Sequence, residues 1–595
     1  MKYNNHEFTK AVNYYKKQFP KNLKGKTILI YFQLKDDKQF YSIAPLSRAI
    51  HELKGDLVVS IRSKNEFKSI EALHRVWDVF DARKKGVKNP KTKVLAEFID
   101  SINKKVKNKK FEEIFERPYL VFTAGKKGFE SENSFLEYNA KWFRKYKWKA
   151  LLKTAKALWV NSYDLKKNES SAVGFELIPT KKELDLPFED YLDSYAIANA
   201  MFLVANKMCK SVSMGSSTGR WKMTEPMNKV SDLRTTLVGC EYEKDLNEIY
   251  FKKYKKLSKL LKLNCFKPVK ASFGIHGKGY GGKHFFGNHI GYPSPNLKTR
   301  WNSPGSMFLK PSWLVQTKID TRMPQTRYAI TSTLPIQNLI RTCDIDYKKM
   351  REKNEKIKRI IEKCDVLYVK GKKKIKGYTT DLEVDLKEIR QKKAFVWKSD
   401  SDVRHMLNAG AKKAYGVKAG MYGNCPGGEA FLTPYKINGI AVSDVVISID
   451  QSYVIPENNP LVIKFTNGTY KVLSGPKNIT SKMIEKRKEA KKQIASYKKS
   501  KGIPKELIKS YEKNFMQTGE FAINTNPHAK LSRYLIETEK IAKMMHIALG
   551  AGYEPGRETL YHWDTVINNP RQKMDIYGIS KGKKHWLLKN GQFVI

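Results

Sequence analysis

The chain has 595 residues, of which 41% are hydrophobic and 12% aromatic, and its formal net charge at pH 7 is +54. A chain of this length exceeds what one hydrophobic core usually supports, so we expect at least two domains. The share of apolar and aromatic residues excludes global disorder.

The sequence shows no targeting or membrane signal. Residues 1–19 lack the apolar segment and small-residue cleavage site of a secretory signal. The most apolar stretch, residues 195–205, is far shorter than the roughly 20 residues needed to cross a bilayer. The six cysteines contain no C-x-x-C pair, which argues against a zinc ribbon or a disulfide framework. We therefore expect a cytoplasmic protein with no membrane partner and with reduced, mostly buried thiols.

The positive charge has more than one interpretation. Lys and Arg neutralise phosphates, so a nucleic-acid partner is one of them. However, the cations are mostly lysines spread along the whole chain, as at residues 104–110, 372–376 and 486–501. Arg, which is preferred for bidentate phosphate contacts, is comparatively scarce. We favour a solvated, lysine-rich surface, and the alternatives are a nucleic-acid surface and attraction of acidic peptides or anionic lipid heads.

The first part of the chain alternates between predicted strands and helices. Apolar runs predict buried strands at residues 26–32, 56–61, 119–123 and 157–161, and a helical pattern covers residues 45–53. This rhythm is typical of a Rossmann-like, mostly parallel sheet with helices between its strands.

Residues 266–340 are rich in Gly, Pro, Ser and aromatic residues, which predicts a loop-rich insertion. Within it, residues 277–282 match the letters G-x-G-x-x-G, but no helix start follows them. We therefore favour a flexible glycine loop over nucleotide binding. The nearby His276, His284 and His289 are interpreted as loop histidines rather than as a surface metal cluster.

The pattern changes towards the C-terminus. Residues 347–361 predict a charged amphipathic helix that leads to a strand at residues 365–370. Beyond about residue 386 the apolar residues alternate, as at residues 439–450 and 461–473, and the second run contains an Asn-Gly hairpin turn. A lysine-rich helical segment over residues 481–511 interrupts these strands.

We predict two domains from these patterns. Residues 1–385 form an α/β N-terminal domain, Rossmann-like with a mostly parallel sheet, and carry the loop-rich insertion. Residues 386–595 form a β-rich α+β C-terminal domain. The candidate functional residues lie in this second domain.

A set of carboxylates and imidazoles in the second domain has the chemistry of metal ligands. Four carboxylates and two imidazoles, enough for two divalent ions, stand at Glu429, Glu520, Glu539, His546, His562 and Asp564. Ligands of these types without thiolate suit Zn, Co, Mn or Mg and leave positions for water and substrate. The set therefore indicates a catalytic rather than a structural metal site.

The spacing of these residues is consistent with a shared site. His562 and Asp564 are two apart, so on a strand both point to one face. Glu539 and His546 are seven apart and share one side of a helix if the segment between them is helical. Glu520 follows a glycine that lets the backbone approach a ligand closely.

Four motifs resemble the metallo-aminopeptidases of the aminopeptidase T type, peptidase family M29. They are Pro426-Gly-Gly-Glu-Ala-Phe-Leu-Thr-Pro434, Gly519-Glu-Phe-Ala-Ile-Asn-Thr-Asn-Pro527, Glu539-Lys-Ile-Ala-Lys-Met-Met-His-Ile-Ala-Leu-Gly550 and His562-Trp-Asp564. The motifs occur in the family's order, within residues 386–595. The resemblance implies metal ligands at Glu429, Glu520, His546, His562 and Asp564, a further ligand at Glu539 and an active-site tyrosine at Tyr553.

The resemblance also implies a function. It implies a homodimer that removes N-terminal residues from peptides with a free N-terminus, using two divalent ions. We hypothesise that a water held between the ions attacks the first peptide carbonyl and that Tyr553 donates a hydrogen bond to the oxyanion. Glu429 or Glu520 would carry a proton to the leaving amine, and the sequence does not decide which. The alternatives are a catalytically degenerate, basic RNA-binding protein and a metallohydrolase of non-peptide amides.

Overall fold

The structure is a computed structural model that describes most of the chain. The described residues are 2–34, 37–63, 77–87, 93–103, 119–124, 139–184, 186–217, 271–276, 327–402, 421–499, 505–552, 556–557 and 559–595. The glycine motif at residues 277–282, His284, His289 and Tyr553 lie outside them. His276 is the last residue of a strand.

An eight-stranded, mostly parallel sheet forms the first part of the fold. Its strands lie in the order Met421–Asn424, Arg327–Ser332, Ala271–His276, Ser170–Gly174, Ser211–Ser217, Asp56–Arg62, Thr27–Gln33 and Leu120–Ala124. Every neighbouring pair is parallel except Asp56–Arg62 with Ser211–Ser217, which is antiparallel. The mostly parallel α/β sheet predicted from the sequence is thus present.

Two antiparallel sheets form the rest of the fold. The first has seven strands, in the order Val396–Ser399, Glu429–Leu432, Thr518–Asn524, Met545–Gly550, His562–Ile567, Val446–Ser448 and Ser452–Val454. The second has eight strands, in the order Thr469–Ser474, Leu461–Thr466, Lys436–Ser443, Asp381–Asp385, Val366–Lys370, Asp575–Ser580, Lys583–Lys589 and Gln592–Phe593. The predicted β-rich part is therefore present as well.

Helices cover and connect the three sheets. Those with defined bounds are Asn5–Lys17, Asp37–Glu52, Lys93–Asn103, Trp148–Asn161, Phe188–Met208, Ile336–Cys343, Tyr347–Lys363, Lys387–Arg390, Lys477–Lys498, Lys505–Lys513 and Leu535–Thr538, with a short 3-10 helix at Lys181–Glu183. In the described ranges, no helix is long and apolar enough to cross a membrane. Four cysteines in these ranges are free and buried, namely Cys209, Cys343, Cys364 and Cys425.

One predicted strand is wrong. Residues 157–161 end the helix Trp148–Asn161 instead of forming a strand. A short apolar run does not by itself distinguish a strand from one turn of a buried helix. The residues that this helix buries recur at helical spacing, at Leu151, Thr154, Ala155, Leu158 and Trp159.

The Asn-Gly hairpin is confirmed. Strands Leu461–Thr466 and Thr469–Ser474 pair antiparallel around it. Both turn residues have positive φ, 48° at Asn467 and 83° at Gly468, as a tight two-residue turn requires. The lysine-rich segment is helical too, as helices Lys477–Lys498 and Lys505–Lys513.

Strand pairing crosses the predicted domain boundary in both directions. Val366–Lys370 and Asp381–Asp385 precede residue 386 but belong to an antiparallel sheet. Met421–Asn424 follows it but extends the parallel sheet. The two parts nevertheless have separate hydrophobic cores, one built mainly from residues before 344 and one from residues after 356. The boundary between residues 385 and 386 therefore stays a prediction.

Buried polar contacts join the two parts close to the candidate ligands. Glu537 accepts hydrogen bonds from Asn338 Nδ2, at 2.7 Å, and from Arg341 on the helix Ile336–Cys343. Tyr534 donates to Asp190 on the long helix of the first part. The segment that carries Glu539 is thereby fixed against the parallel-sheet half of the protein.

Candidate metal centre

Four adjacent antiparallel strands carry five of the six predicted ligands. Directly opposed residues on such strands, and residues two apart on one strand, point to the same face. Glu429 opposes Asn524, which is four residues from Glu520 on the same strand. His546 opposes Ala522, two residues from Glu520. The side chains of Glu429, Glu520 and His546 therefore lie on one face of the sheet.

The remaining strand completes this face. Asp564 opposes Ala548, which opposes Glu520 on its other side, and His562 opposes Gly550. His562 and Asp564 thus share a face of the strand His562–Ile567, as predicted. The residues that directly oppose the ligands on these strands include Ala522, Ala548 and Gly550, which are small.

Glycines let the strands approach closely at this point. Gly519 lies where the pairing of Thr518–Asn524 with Met545–Gly550 shifts by one residue. A Cβ at Gly519 would lie 1.8 Å from the carbonyl oxygen of Ala551. Gly428, just before Glu429, has φ of +140°, and a Cβ there would lie 2.5 Å from Cβ of Asn526. These positions admit no side chain without a backbone shift.

The ligand atoms converge in two groups that share one residue. Within the described residues, Glu429, Glu520 and His546 place a ligand atom each within 4.8 Å of one another, and so do Glu520, His562 and Asp564. Nε2 of His546 lies 3.1 Å from Oε1 of Glu520, and Nε2 of His562 lies 3.2 Å from Oε2 of Glu520. Glu520 therefore bridges the two groups with one carboxylate oxygen on each side.

Both imidazoles are oriented by a contact on their far side. Nδ1 of His546 lies 2.8 Å from Oδ1 of Asn524, and Nδ1 of His562 lies 2.8 Å from the carbonyl oxygen of Ala551. These oxygens only accept, so each Nδ1 donates a proton and each Nε2 faces the carboxylates. Metal-binding histidines in proteins are held in this way.

A buried lysine lies against the same cluster. Lys540 Nζ is 2.5 Å from Oε1 of Glu429 and 2.8 Å from Oε1 of Glu539. All three side chains are almost fully buried. Glu539 belongs to neither three-residue group and borders the cluster through this ammonium.

Contacts between carboxylates and imidazoles set the pKa values inside the cluster. Burial would raise the pKa of Glu520, but hydrogen bonds from His546 and His562 outweigh burial and hold the pKa well below its usual range. The pKa of His546 is raised to about 9, because Glu520 outweighs the effect of burial. His562 has a raised pKa for the same kind of reason, with Asp564 as its main partner. The raised pKa of both imidazoles reflects the carboxylates that face them.

Burial and ion pairing also oppose each other in the pKa values of Lys540 and the two carboxylates that contact it. Burial raises the pKa of Glu539 to about 7, with Lys540 opposing and the charges of Asp564 and Glu429 adding to it. Burial also raises the pKa of Glu429, again against Lys540. Lys540 itself keeps a raised pKa despite burial, because two carboxylates contact it. The ammonium is therefore charged and paired.

The residues fit divalent metal ions. Two of the four buried carboxylates contact the ammonium of Lys540, and Oε2 of Glu429 accepts no hydrogen bond although it is buried. Both Nε2 atoms point inwards from rings already anchored at Nδ1. Buried charge of this kind is stable only when it is neutralised, and cations held by carboxylate and imidazole neutralise it. The cluster could hold metal ions; its donors do not fix their identity or number.

A turn, not a helix, connects Glu539 to His546. The segment between Glu539 and His546 is not helical: Glu539 caps the short helix Leu535–Thr538, and His546 lies on the strand Met545–Gly550. They approach the same cluster because Asn524 and Lys543 pair across the intervening turn. Tyr553, the predicted active-site tyrosine, lies outside the described residues.

Sequence reasoning missed two residues of this site. Lys540 pairs with two of the candidate ligands, and Asn524 orients His546. The position of Lys540 directly after Glu539 is a weak signal, hidden among 113 lysines and arginines. Asn524 could have been found from its alternation with Glu520, because both must point to one face of a strand.

The fold and the cluster define a protein with an α/β part, a β-rich part and a buried carboxylate and imidazole centre that could hold metal. The solved structures that resemble it include "Wild-type AmpT from Thermus thermophilus", which is 14% identical, with 76% of this chain and 100% of that chain covered and a TM-score of 0.38. At this identity and TM-score the likeness says nothing about the function of this chain. No model of a known protein family matches the chain, and no curated protein does.

Proposed function

We propose that the protein is a metal-dependent aminopeptidase with two divalent ions, of Zn, Co, Mn or Mg, in the buried cluster. One observation carries the proposal: five of the predicted ligands converge on one face of one sheet, in two groups joined by Glu520. Four sequence motifs that resemble aminopeptidases of the aminopeptidase T type supply these residues. The motifs, rather than the geometry, favour peptides over other substrates.

The two groups would hold one ion each. Glu429, Glu520 and His546 form one position, and Glu520, His562 and Asp564 form the other. Glu539 would support the centre from its edge through Lys540. When bound, the ions would lower the pKa of a water molecule and polarise a substrate carbonyl.

The chain itself would contribute orientation, burial and proton transfer. Asn524 and the carbonyl of Ala551 fix the two imidazole rings, so little ordering remains to be done when substrate binds. The side chains of the cluster are almost fully buried, and burial strengthens the electrostatic interactions between them. Glu429 or Glu520 would transfer a proton to the leaving amine, and Tyr553 would donate to the oxyanion.

The substrate's free α-amino group would bind one of the ions or a carboxylate of the cluster. Either contact requires an amine next to the first peptide bond, which restricts cleavage to that bond. We further propose peptides with a free N-terminus as the substrates and a homodimer as the assembly.

A pair of peptides tests this proposal. A tripeptide with a free N-terminus is expected to lose its first residue, while its N-acetylated form is cleaved at least about 100-fold more slowly because the amine contact is gone. The measurement is amino-acid release by metal-supplemented protein. Equal cleavage of both peptides would indicate a metallohydrolase of other amides. Cleavage of neither, with salt-sensitive retention of RNA, would indicate a degenerate RNA-binding protein.

A further inference from the structure

Lys540 is a charged side chain buried beside the cluster. It is 2% exposed, and its ammonium contacts Glu429 and Glu539. A buried ammonium is stable only when carboxylates offset the loss of hydration. The carboxylates around Lys540 therefore stabilise its charge at this buried position.

Among the described residues of the two groups, Lys540 forms an ion pair with Glu429. Glu429 is a ligand of only one of the two groups, and its Oε1 is bonded to the ammonium. Its other oxygen, Oε2, lies 3.6 Å from Nε2 of His546 and accepts no hydrogen bond. Glu429 can thus offer one oxygen to an ion, and that ion would lie close to a fixed positive charge.

The other group has a different environment. In the part of the chain that the structure describes, Asp564 and Glu520 form ion pairs with histidines. Nε2 of His562 lies 3.1 Å from Oδ1 of Asp564, and Nε2 of His546 lies 3.1 Å from Oε1 of Glu520. An imidazole loses its proton when it binds metal, whereas an ammonium at this position keeps its charge. An ion held by Glu520, His562 and Asp564 would meet no such permanent cation among its ligands.

We propose that Lys540 is a built-in cation that makes the two metal positions unequal. The first ion binds Glu520, His562 and Asp564, and the second binds Glu429, Glu520 and His546 more weakly because it is repelled by the ammonium. The inference rests on the proposed metal centre. Because of the charge of Lys540, the two metal positions would be occupied in two separate steps as the metal concentration rises.

Metal titration tests this role. Metal-stripped full-length protein is titrated with Zn²⁺ against a competing fluorescent indicator, which gives two stepwise dissociation constants. In the Lys540→Met variant, which keeps the length of the side chain but not its charge, the second constant is expected to fall at least tenfold and the first less than threefold. Lys543→Met is the matched control, since it removes the same charge at an exposed position three residues away.

The outcomes separate the inference from the proposed function. A second constant in Lys540→Met that equals that of Lys543→Met, or that rises, overturns the role of Lys540 while leaving the metal centre in place. Two equal dissociation constants in the unaltered protein would also overturn the role of Lys540. Failure of the unaltered protein to bind Zn²⁺ overturns the metal centre itself and the inference with it.

A second measurement uses the unaltered protein, in case Lys540→Met does not fold. Crystals grown with one equivalent of Zn²⁺ are expected to show an anomalous peak between Glu520, His562 and Asp564. A second peak at Glu429 is expected only at higher Zn²⁺ concentration. A first peak at Glu429, or equal peaks at one equivalent, would overturn the proposal.

Discussion

Replacing Glu520 with Gln is expected to weaken both metal positions, by at least about 100-fold each, which is the upper end of the cost of altering the supports of a metal ligand. Glu520 is the one residue common to both groups, and each of its oxygens faces a different imidazole. The amide keeps the size of the side chain but removes its charge. Equilibrium dialysis of metal-stripped protein measures the effect.

Two controls make this result specific. Asp564→Asn should weaken one position only, because Asp564 belongs to a single group. Glu457→Gln, which alters an exposed carboxylate with 70% of its side chain accessible, should leave both unchanged. Retention of two ions at unaltered affinity by Glu520→Gln would show that the carboxylate does not bridge them.

The second large effect is expected at Gly519, where alanine should destabilise the C-terminal part by about 3 kcal/mol, the upper range for overpacking. The new Cβ would lie 1.8 Å from the carbonyl oxygen of Ala551, a backbone atom that cannot rotate away. That carbonyl also accepts the hydrogen bond from Nδ1 of His562. The strands must separate, so metal binding should weaken as stability falls.

Gly174→Ala is the matched control for Gly519→Ala. Both glycines lie in strands, but a Cβ at Gly174 would meet its nearest atom at an ordinary 3.6 Å. We expect a change of less than about 1 kcal/mol there, with either sign. The midpoint of urea unfolding, compared at constant m-value, measures both variants. A midpoint for Gly519→Ala equal to that of Gly174→Ala would mean that the strands relax at little cost.

Local sequence patterns predicted where strands and turns lie better than they predicted which strands pair with each other. The strands Thr27–Gln33 and Asp56–Arg62 and the hairpin at Asn467 depend on neighbouring residues, so sequence periodicity and turn chemistry suffice to locate them. The pairing of Met421–Asn424 with Arg327–Ser332 joins strands about a hundred residues apart. No local pattern encodes such a pairing, and it was not predicted for that reason.

The sequence identified the carboxylates and imidazoles that converge, but not the charge balance among them. Carboxylates and histidines in an ordered set of motifs are uncommon enough to be noticed, and their strand spacing places His562 and Asp564 on one face. Lys540 belongs to the most abundant kind of charged residue in the chain. Only three-dimensional contacts distinguish one buried, doubly paired lysine from the many at the surface.

The central claim is tested most directly by release of free amino acids from a panel of small peptides. Chelator-stripped protein is supplemented with Co, Zn, Mn or Mg, and Glu520→Gln serves as the inactive control. The account predicts release of N-terminal residues that requires metal and is lost in the variant. Absence of release with every metal, from protein shown to be folded, would contradict it.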